Sequence, residues 1–336
     1  MEDLSLDERD LAIVAALHVD ARVPWGRLGE VLGLSDRTVA RRARRLMDLG
    51  VVRVVGVANP YHSGYTTPMI VRGRCARGSI VTMAGLIARR PDTLWVDILV
   101  GGTDLCFVTY AGSRESRNAF LLKELPGLDQ LTDVSVHTMM HTFSDATRWY
   151  PRFLSDDQFA ALDAEREAHE PARQRPLTAD DVAMMRTLAQ DGRAGYVELG
   201  AAASCSESTA RRRLRLLTGY GAINFHTDVE LSLLGFEVEA MVWMSVKPRA
   251  LEQVGQALVT DPTVRFVAAT TGPSNLVCSV ACQDISALYR FMVEVVGGLP
   301  AVTHVEATPI ARTIKRAGVI RRDRSPLAGI RPVRAR

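Results

Sequence analysis

Residues 35–50, SDRTVARRARRLMDLG, place five arginines in sixteen positions and end on a glycine. Val39, Ala43 and Leu46 recur at i, i+4 and i+7. That predicts a helix with one buried face and leaves Arg37, Arg41, Arg44 and Arg45 outward. Ser35 stands where an N-cap would satisfy the free N–H groups of this helix, and Gly50 where a left-handed residue would end it. The stretch before it, WGRLGEVLG, predicts a short helix with Trp25, Leu28, Val31 and Leu32 inward, and Gly33 supplies a tight turn between the two. Further back, Leu11, Val14, Ala15 and Leu17 fall on one helical face. Three short helices, the last basic and entered through a tight turn, suit a helix that lies against phosphates. A solvated basic surface is the plainer alternative.

The chain repeats. A shift of 171 positions sets LDERDLAIVAALHVDAR (6–22) on LTADDVAMMRTLAQDGR (177–193) without a gap. Leu6, Asp10, Asp20, Arg22, Leu28, Ser35, Thr38, Arg41, Arg42, Arg44 and Gly50 then meet the same residue type, for instance Ser206, Thr209, Arg212, Arg213, Arg215 and Gly221. Solenoid repeats are far shorter, roughly 20–50 residues, so this is duplication of a whole two-part unit.

The back of each unit changes period. TTPMIVRG, TLWVDILV, LCFVTYA and LTDVSVHTMMHTF read as strands, with SIVTMAGLIARR and RESRNAFLLKEL as helices, giving the order βαββαβ. EVEAMVWMSV, RALEQVGQALV, VRFVAAT, LVCSVAC, ISALYRFMVEVV and VTHVEATPI give the same series again. Four strands with both helices on one face leave the other face apolar and bare, to be covered most simply by a second such sheet. Between the units, SDDQFAALDAEREAHE is expected to form one helix before Pro171 and Pro176.

The bulk properties set limits. The chain has 336 residues, 47 % hydrophobic and 24 % charged, with a net charge of only +3, so any attraction to nucleic acid must come from where charge is concentrated. Five scattered cysteines without a C-x-x-C pair suit a reducing compartment. The acidic opening MEDLSLDERD is not a secretory signal, and no run approaches the roughly 20 apolar residues of a membrane span. A cytoplasmic protein without membrane association is expected. His137 and His141 are four apart on a predicted strand, about 13 Å, too far to share an ion, and Cys278 and Cys282 fail likewise. No phosphate loop, nucleophile elbow or H-E-x-x-H pattern occurs. Neither metal, cofactor nor catalysis is expected.

LDERDLAIVAALHVDAR, LGEVLGLSDRTVARRARRL and DLGVVRVVGVANP, followed by βαββαβ and the loop GGTDL (101–105), resemble the Lrp/AsnC ("feast/famine") regulators. The chain looks like two copies of that unit in tandem. The resemblance implies an α+β protein with two winged-type helix-turn-helix domains and two ferredoxin-like effector domains of the type called RAM. The divisions are 1–58 and 177–232 for the helix-turn-helix domains and 59–143 and 233–312 for the effector domains. A linker at 144–176 and a basic tail at 313–336 complete the chain. It further implies a transcription regulator of double-stranded DNA, responsive to an amino acid or related effector and assembled as a homo-oligomer through its effector domains.

Helix-turn-helix geometry places the start of the third helix in the major groove. Ser35, Arg37, Thr38 and Arg41 are the candidates for base contact in the first copy, and Ser208, Thr209 and Arg212 in the second. Arg44, Arg45, Arg213 and Arg215 are the candidates for phosphates, although Arg42 and Arg213 lie at the edge of the buried face, where a structural role is the alternative. The starts differ, SDRT against SEST, which predicts two unlike half-sites. The resemblance also makes Gly101, Gly102, Thr103, Asp104, Gly272, Ser274 and Asn275 candidates for an effector pocket, with Asp104 holding an ammonium group. The second copy departs at Ser204, where the first has Gly33, and at Asn275, where it has Asp104. Two other functions compete. Sirohaem decarboxylases resemble the same doubled unit, but LWVDILVGGTDLCFVTY and VRFVAATTGPSNLVCSVAC contain no histidine where those enzymes carry one. A sequence-blind architectural protein would bind all DNA alike.

Overall fold

A computed structural model describes residues 6–59, 62, 67–101, 104–146, 149–164 and 176–321. The chain begins with α1 (Glu8–Val19), α2 (Trp25–Leu32), α3 (Asp36–Asp48) and β1 (Val52–Ala58). Next come β2 (Met69–Cys75), α4 (Ile80–Ala88), β3 (Thr93–Leu99), β4 (Asp104–Thr109), α5 (Arg114–Ala119) and β5 (Leu131–Ser144). A linker helix α6 (Asp156–Asp163) leads to α7 (Ala179–Gln190), α8 (Tyr196–Ala202), α9 (Glu207–Gly219) and β6 (Ile223–Val229). The chain continues through β7 (Val238–Val246), α10 (Leu251–Val259), β8 (Val264–Thr270), β9 (Leu276–Cys282), α11 (Ile285–Arg290), β10 (Val302–Arg316) and β11 (Val319–Ile320). Helices α5 and α11 each run on into a wider π-helical turn, Phe120–Glu124 and Phe291–Val296, at positions the repeat equates.

These elements gather into two compact units, one drawn from 1–64 and 150–234 and the other from 65–149 and 235–322. Both helical segments therefore share one unit and both βαββαβ segments the other.

In the helical unit, local chemistry sets the helix ends. Ser35 Oγ accepts from Thr38 N at 3.2 Å and Ser206 Oγ from Thr209 N at 3.2 Å, so both basic helices start on the expected cap. Val39, Ala43 and Leu46 of α3 are fully buried, as are Ala210 and Leu217 of α9, with Leu214 nearly so. Gly33 has φ 65°, the left-handed turn expected before α3. Ser204, its counterpart before α9, takes φ 50° although it has a Cβ.

Two features depart from expectation. Helix α1 was expected to bury one face, yet Leu11, Ile13, Val14, Ala15, Ala16, Leu17 and Val19 are all buried. The linker helix α6 explains part of this: it packs on α1 and α2 and buries Leu162. Its Gln158 Nε2 donates to Val31 O at 3.4 Å. The wing is the second departure. A wing is a hairpin within its own copy, whereas β1 pairs antiparallel with β6, from Val52↔Val229 to Ala58↔Ile223. The exit strand of each copy carries backbone groups that need a partner, and the other copy's exit strand supplies it.

In the sheet unit, each half has the strand order second, third, first, fourth: β3-β4-β2-β5 and β8-β9-β7-β10. The fourth strand of each half is long, 14 residues in β5 and 15 in β10, because it serves two partners. Strand β5 pairs with β2 at one end and crosses to β8 at the other; β10 pairs with β7 and crosses to β3. Eight antiparallel strands thus close on themselves. Between the two halves lie Ile70, Leu99, Cys106 and Met139 from the first and Met241, Trp243, Ala268 and Val277 from the second, so each sheet's bare apolar face is buried under the other. The helices cover the outer faces in two further cores.

Residues 313–320 were expected to open the basic tail. They complete β10, turn at 317–318 and form β11 instead, with the polar ends of Lys315 and Arg316 engaged within the fold. Lys315 Nζ donates to Arg90 O at 2.7 Å, and Arg316 Nη2 lies 2.7 Å from Glu239. The rest of the expected tail, from 322, falls outside the described residues.

Candidate nucleic-acid interface and effector loops

On α3, Arg37, Arg41 and Arg44 are exposed and their guanidinium groups meet no partner among the described residues. Arg42, one position round the helix, behaves differently: Nη1 lies 2.8 Å from both Asp7 and the buried Asp10. The hydrogen bond to Asp10 outweighs desolvation and holds the Arg42 pKa above its ordinary value. Arg45 is exposed and drawn partly toward Asp10, 3.8 Å away. Ser35 and Thr38 share a hydroxyl contact of 2.8 Å at the helix start.

On α9 the pattern returns with losses. Arg212 and Arg215 are exposed without a partner among the described residues. Arg213, expected on phosphates, is turned inward: Nη2 lies 2.7 Å from Asp180, and Nη1 lies 3.2 Å from the fully buried Asp181 and 3.1 Å from Thr178 Oγ1. It is the counterpart of Arg42 and fastens α9 to α7. Arg211 pairs with Glu207 at 3.1 Å and lies over the Tyr196 ring at 4.8 Å. Ser208 and Thr209 hydroxyls gather on Ser206 Oγ at 3.0 and 2.9 Å.

Sequence reasoning missed the residues that join the two helical copies. Arg193 donates to Ala21 O at 2.7 Å and Val23 O at 2.9 Å, and its guanidinium lies 3.8 Å above the Trp25 ring. Arg22 donates to Gly192 O and, at 3.1 Å, to Ala194 O. Burial lowers the pKa of both; with Arg22 close by, Arg193 comes down to about 10. The signal was present, since Asp20-x-Arg22 and Asp191-x-Arg193 match across the repeat, but nothing local tells which carbonyls such an arginine reaches.

The two effector loops are not alike. Gly101 is left-handed at φ 127°, and Gly102 and Thr103 lie outside the described residues. Asp104, expected to hold an ammonium group, faces Arg72 at 3.1 Å and Arg74 at 3.5 Å. Arg72 also meets Glu306 at 2.7 Å. In the second loop Asn275 Oδ1 accepts from Val246 N at 2.8 Å and its Nδ2 donates to Val246 O at 2.9 Å, so this amide completes the sheet edge. Gly272, at φ 105°, lies against His137, and a Cβ there would come within 2.6 Å of Nδ1. His137 Nδ1 is 2.8 Å from Thr271 O, and Ser274 O accepts from Thr270 Oγ1 at 3.0 Å. Among the described residues no three His, Cys, Asp or Glu side chains gather as a metal site, and no helix is long and apolar enough to cross a membrane.

Two helix-turn-helix copies in one unit and two βαββαβ segments in the other make the chain a doubled two-part protein. The chain belongs to the Lrp/AsnC family of transcriptional regulators. The AsnC-type helix-turn-helix domain model matches 6–47 and again 177–218, and the Lrp/AsnC ligand binding domain model matches 239–320. The HTH-type transcriptional regulator Ptr1 of Methanocaldococcus jannaschii is 32 % identical over 136 residues, covering 40 % of this chain and 92 % of that protein. AldR of Mycobacterium tuberculosis, also an HTH-type transcriptional regulator, is 32 % identical over 127 residues, covering 36 % and 69 %. Among solved structures, the siroheme decarboxylase NirDL aligns along 95 % of this chain and 96 % of its own, with a TM-score of 0.62 and 12 % identity. That likeness concerns the fold alone.

Proposed function

We propose that the chain is a sequence-specific DNA-binding regulator in which one polypeptide supplies both recognition helices, and that it is not an enzyme. The observation that carries this reading is the division among the arginines. Arg42 and Arg213 are tied to buried aspartates, while Arg37, Arg41, Arg44, Arg212 and Arg215 stand exposed without partners among the described residues. A merely solvated helix has no reason to repeat that division 171 residues later. Arg37, Thr38 and Arg41 of α3 read base edges, as do Ser208, Thr209 and Arg212 of α9. Arg44, Arg45 and Arg215 hold phosphates. Ser35 Oγ already caps α3, so its contribution is to set the helix start.

The two βαββαβ halves are ferredoxin-like effector domains in this reading. The first loop favours a zwitterion such as an amino acid, whose two charges would exchange with the linked Arg74–Asp104 and Arg72–Glu306 pairs. The fold is shared with a sirohaem decarboxylase, and shared fold does not carry shared chemistry. The protein works in the cytoplasm.

Footprinting of bound genomic DNA at physiological ionic strength, repeated with candidate amino acids, tests the reading. Discrete sites whose occupancy changes with one amino acid are expected. Equal binding everywhere would leave the architectural role, and a Soret band on adding an iron tetrapyrrole would leave the enzymatic one.

A further inference from the structure

The two recognition helices are placed alike but charged unlike. In the β1–β6 ribbon Val55 pairs with His226, its own counterpart in the repeat, so a local two-fold relates the two exit strands about that pair. Arg22 and Arg193 exchange carbonyls in the same reciprocal way. Helices α3 and α9 each have 13 residues and start on a serine cap. The backbone therefore offers both helices to a duplex on equal terms.

The side chains do not. In the first copy Arg9, Arg37, Arg41, Arg44 and Arg45 are all exposed. Among the described residues only Arg45 of these approaches a carboxylate, Asp10 at 3.8 Å, and 47 % of its side chain stays open to solvent. The repeat places Asp180, Ser208, Arg212, Arg215 and Leu216 at the same positions, so three of the five cations are lost. Leu216 is 49 % exposed, apolar where Arg45 is charged. Asp180 faces Arg213 rather than solvent alone, at 2.7 Å. One arginine is added on α9, Arg211 in place of Ala40. It is occupied by Glu207 at 3.1 Å and by the Tyr196 ring at 4.8 Å.

We propose that the two copies hold DNA unequally: the copy with α3 carries most of the affinity, and the copy with α9 settles on a weakly held half-site. This rests on the DNA-binding reading above and adds which part of the surface does the holding. Each phosphate neutralised by an arginine releases condensed counterions, so affinity grows with the number of cations free to make that contact. Five exposed guanidinium groups against Arg212 and Arg215 give the first copy the larger share, and the larger share of the long-range attraction as well. Both copies belong to one folded unit, so docking of the first makes the approach of the second intramolecular. A half-site too weak to be bound alone is then filled.

Selection of duplexes from a randomised library by the full chain, followed by titration of the selected duplex at several salt concentrations, tests this. One half of the selected sequence should be tightly constrained and the other loosely. Scrambling the tight half should weaken binding about thirtyfold or more, and scrambling the loose half about threefold. Arg41→Ala should relax preference in the tight half and Arg212→Ala in the loose one. Leu216→Arg should strengthen binding and steepen the salt slope by about 0.9, a gain that damage to the fold cannot imitate, and Arg45→Leu should flatten the slope by as much. Two halves of equal worth, a tight half that answers to Arg212→Ala, or an unchanged slope in Leu216→Arg would each overturn the proposal while leaving sequence-specific binding in place. Selection of no preferred sequence would overturn it together with the reading it rests on.

Discussion

Arg22 and Arg193 occupy equivalent positions of the two copies, and each donates to the backbone carbonyls on either side of the other. Arg22 reaches Gly192 and Ala194, and Arg193 reaches Ala21 and Val23. With the β1–β6 ribbon, this exchange makes the two helical copies one folded unit. Removing one arginine abandons two half-buried carbonyls and a ring contact. Arg193→Ala is expected to lower stability by roughly 2–3 kcal/mol in urea unfolding. Arg193→Lys, which keeps charge but lacks the fork, should lose an intermediate amount. If both variants unfold like wild type, the exchange is incidental.

Adjacent arginines on α9 should separate cleanly. Arg213→Ala removes the ion pairs to Asp180 and the buried Asp181 and should cost about 3 kcal/mol of stability. Arg212→Ala should leave the unfolding midpoint unchanged and weaken DNA binding. Thermal melts and binding isotherms on the two variants decide this.

Arg37 has Ser208 as its counterpart, so the two helix starts differ in charge. Arg37→Ala is expected to relax base preference in one half of the operator by about 1–3 kcal/mol and leave the other half unchanged. Selection from randomised half-sites reads this directly; equal relaxation on both halves would contradict unlike recognition. Arg44→Ala should instead lower affinity for all sequences and reduce the salt slope by about 0.9.

Ser204 holds a left-handed conformation that its counterpart Gly33 adopts without strain. Ser204→Gly should relieve that strain, partly offset by the greater freedom of glycine in the unfolded chain, for a net gain of about 1 kcal/mol. Gly33→Ala, with open space around the new Cβ, should lose a similar amount through backbone strain alone. Loss of stability in Ser204→Gly would show that the serine makes a compensating contact.

Asp97 is buried on β3, and burial raises its pKa to about 6 against hydrogen bonding from Thr313 and attraction to Arg316 and Arg265. For an acid with a raised pKa, the favourable contribution is complete below the unfolded value near 3.8 and is lost as pH rises through about 6. Asp97→Asn does not titrate. It should therefore gain on wild type by on the order of 2 kcal/mol between pH 4 and pH 7.5. A difference that stays flat across that range would mean Asp97 is charged throughout.

Much of the candidate site was readable before the fold was known, for short-range reasons. The caps at Ser35 and Ser206 and the buried stripe Val39, Ala43, Leu46 follow from hydrogen bonds and periodicity within a few residues. What failed to read was partner choice. Position put Arg42 and Arg213 at the edge of the buried face, open to a structural role as well as to phosphate, and the approach of Asp180 and Asp181 from α7 shows the structural one for Arg213. The resemblance made Asn275 and Asp104 candidates for a pocket, with ordinary strand connections as the alternative because polar turn residues suit both; their partners Val246 and Arg72 come from other strands.

By itself the sequence determined the element order, the helix ends and the duplication, since each depends on neighbours along the chain. Tertiary structure alone decided that β1 pairs with β6, that β5 and β10 cross between the halves, and that Arg22 and Arg193 exchange carbonyls. Those partners lie well over a hundred residues apart, and an alternating strand or a buried arginine fits any complementary edge. The choice among edges belongs to the closing of the whole fold.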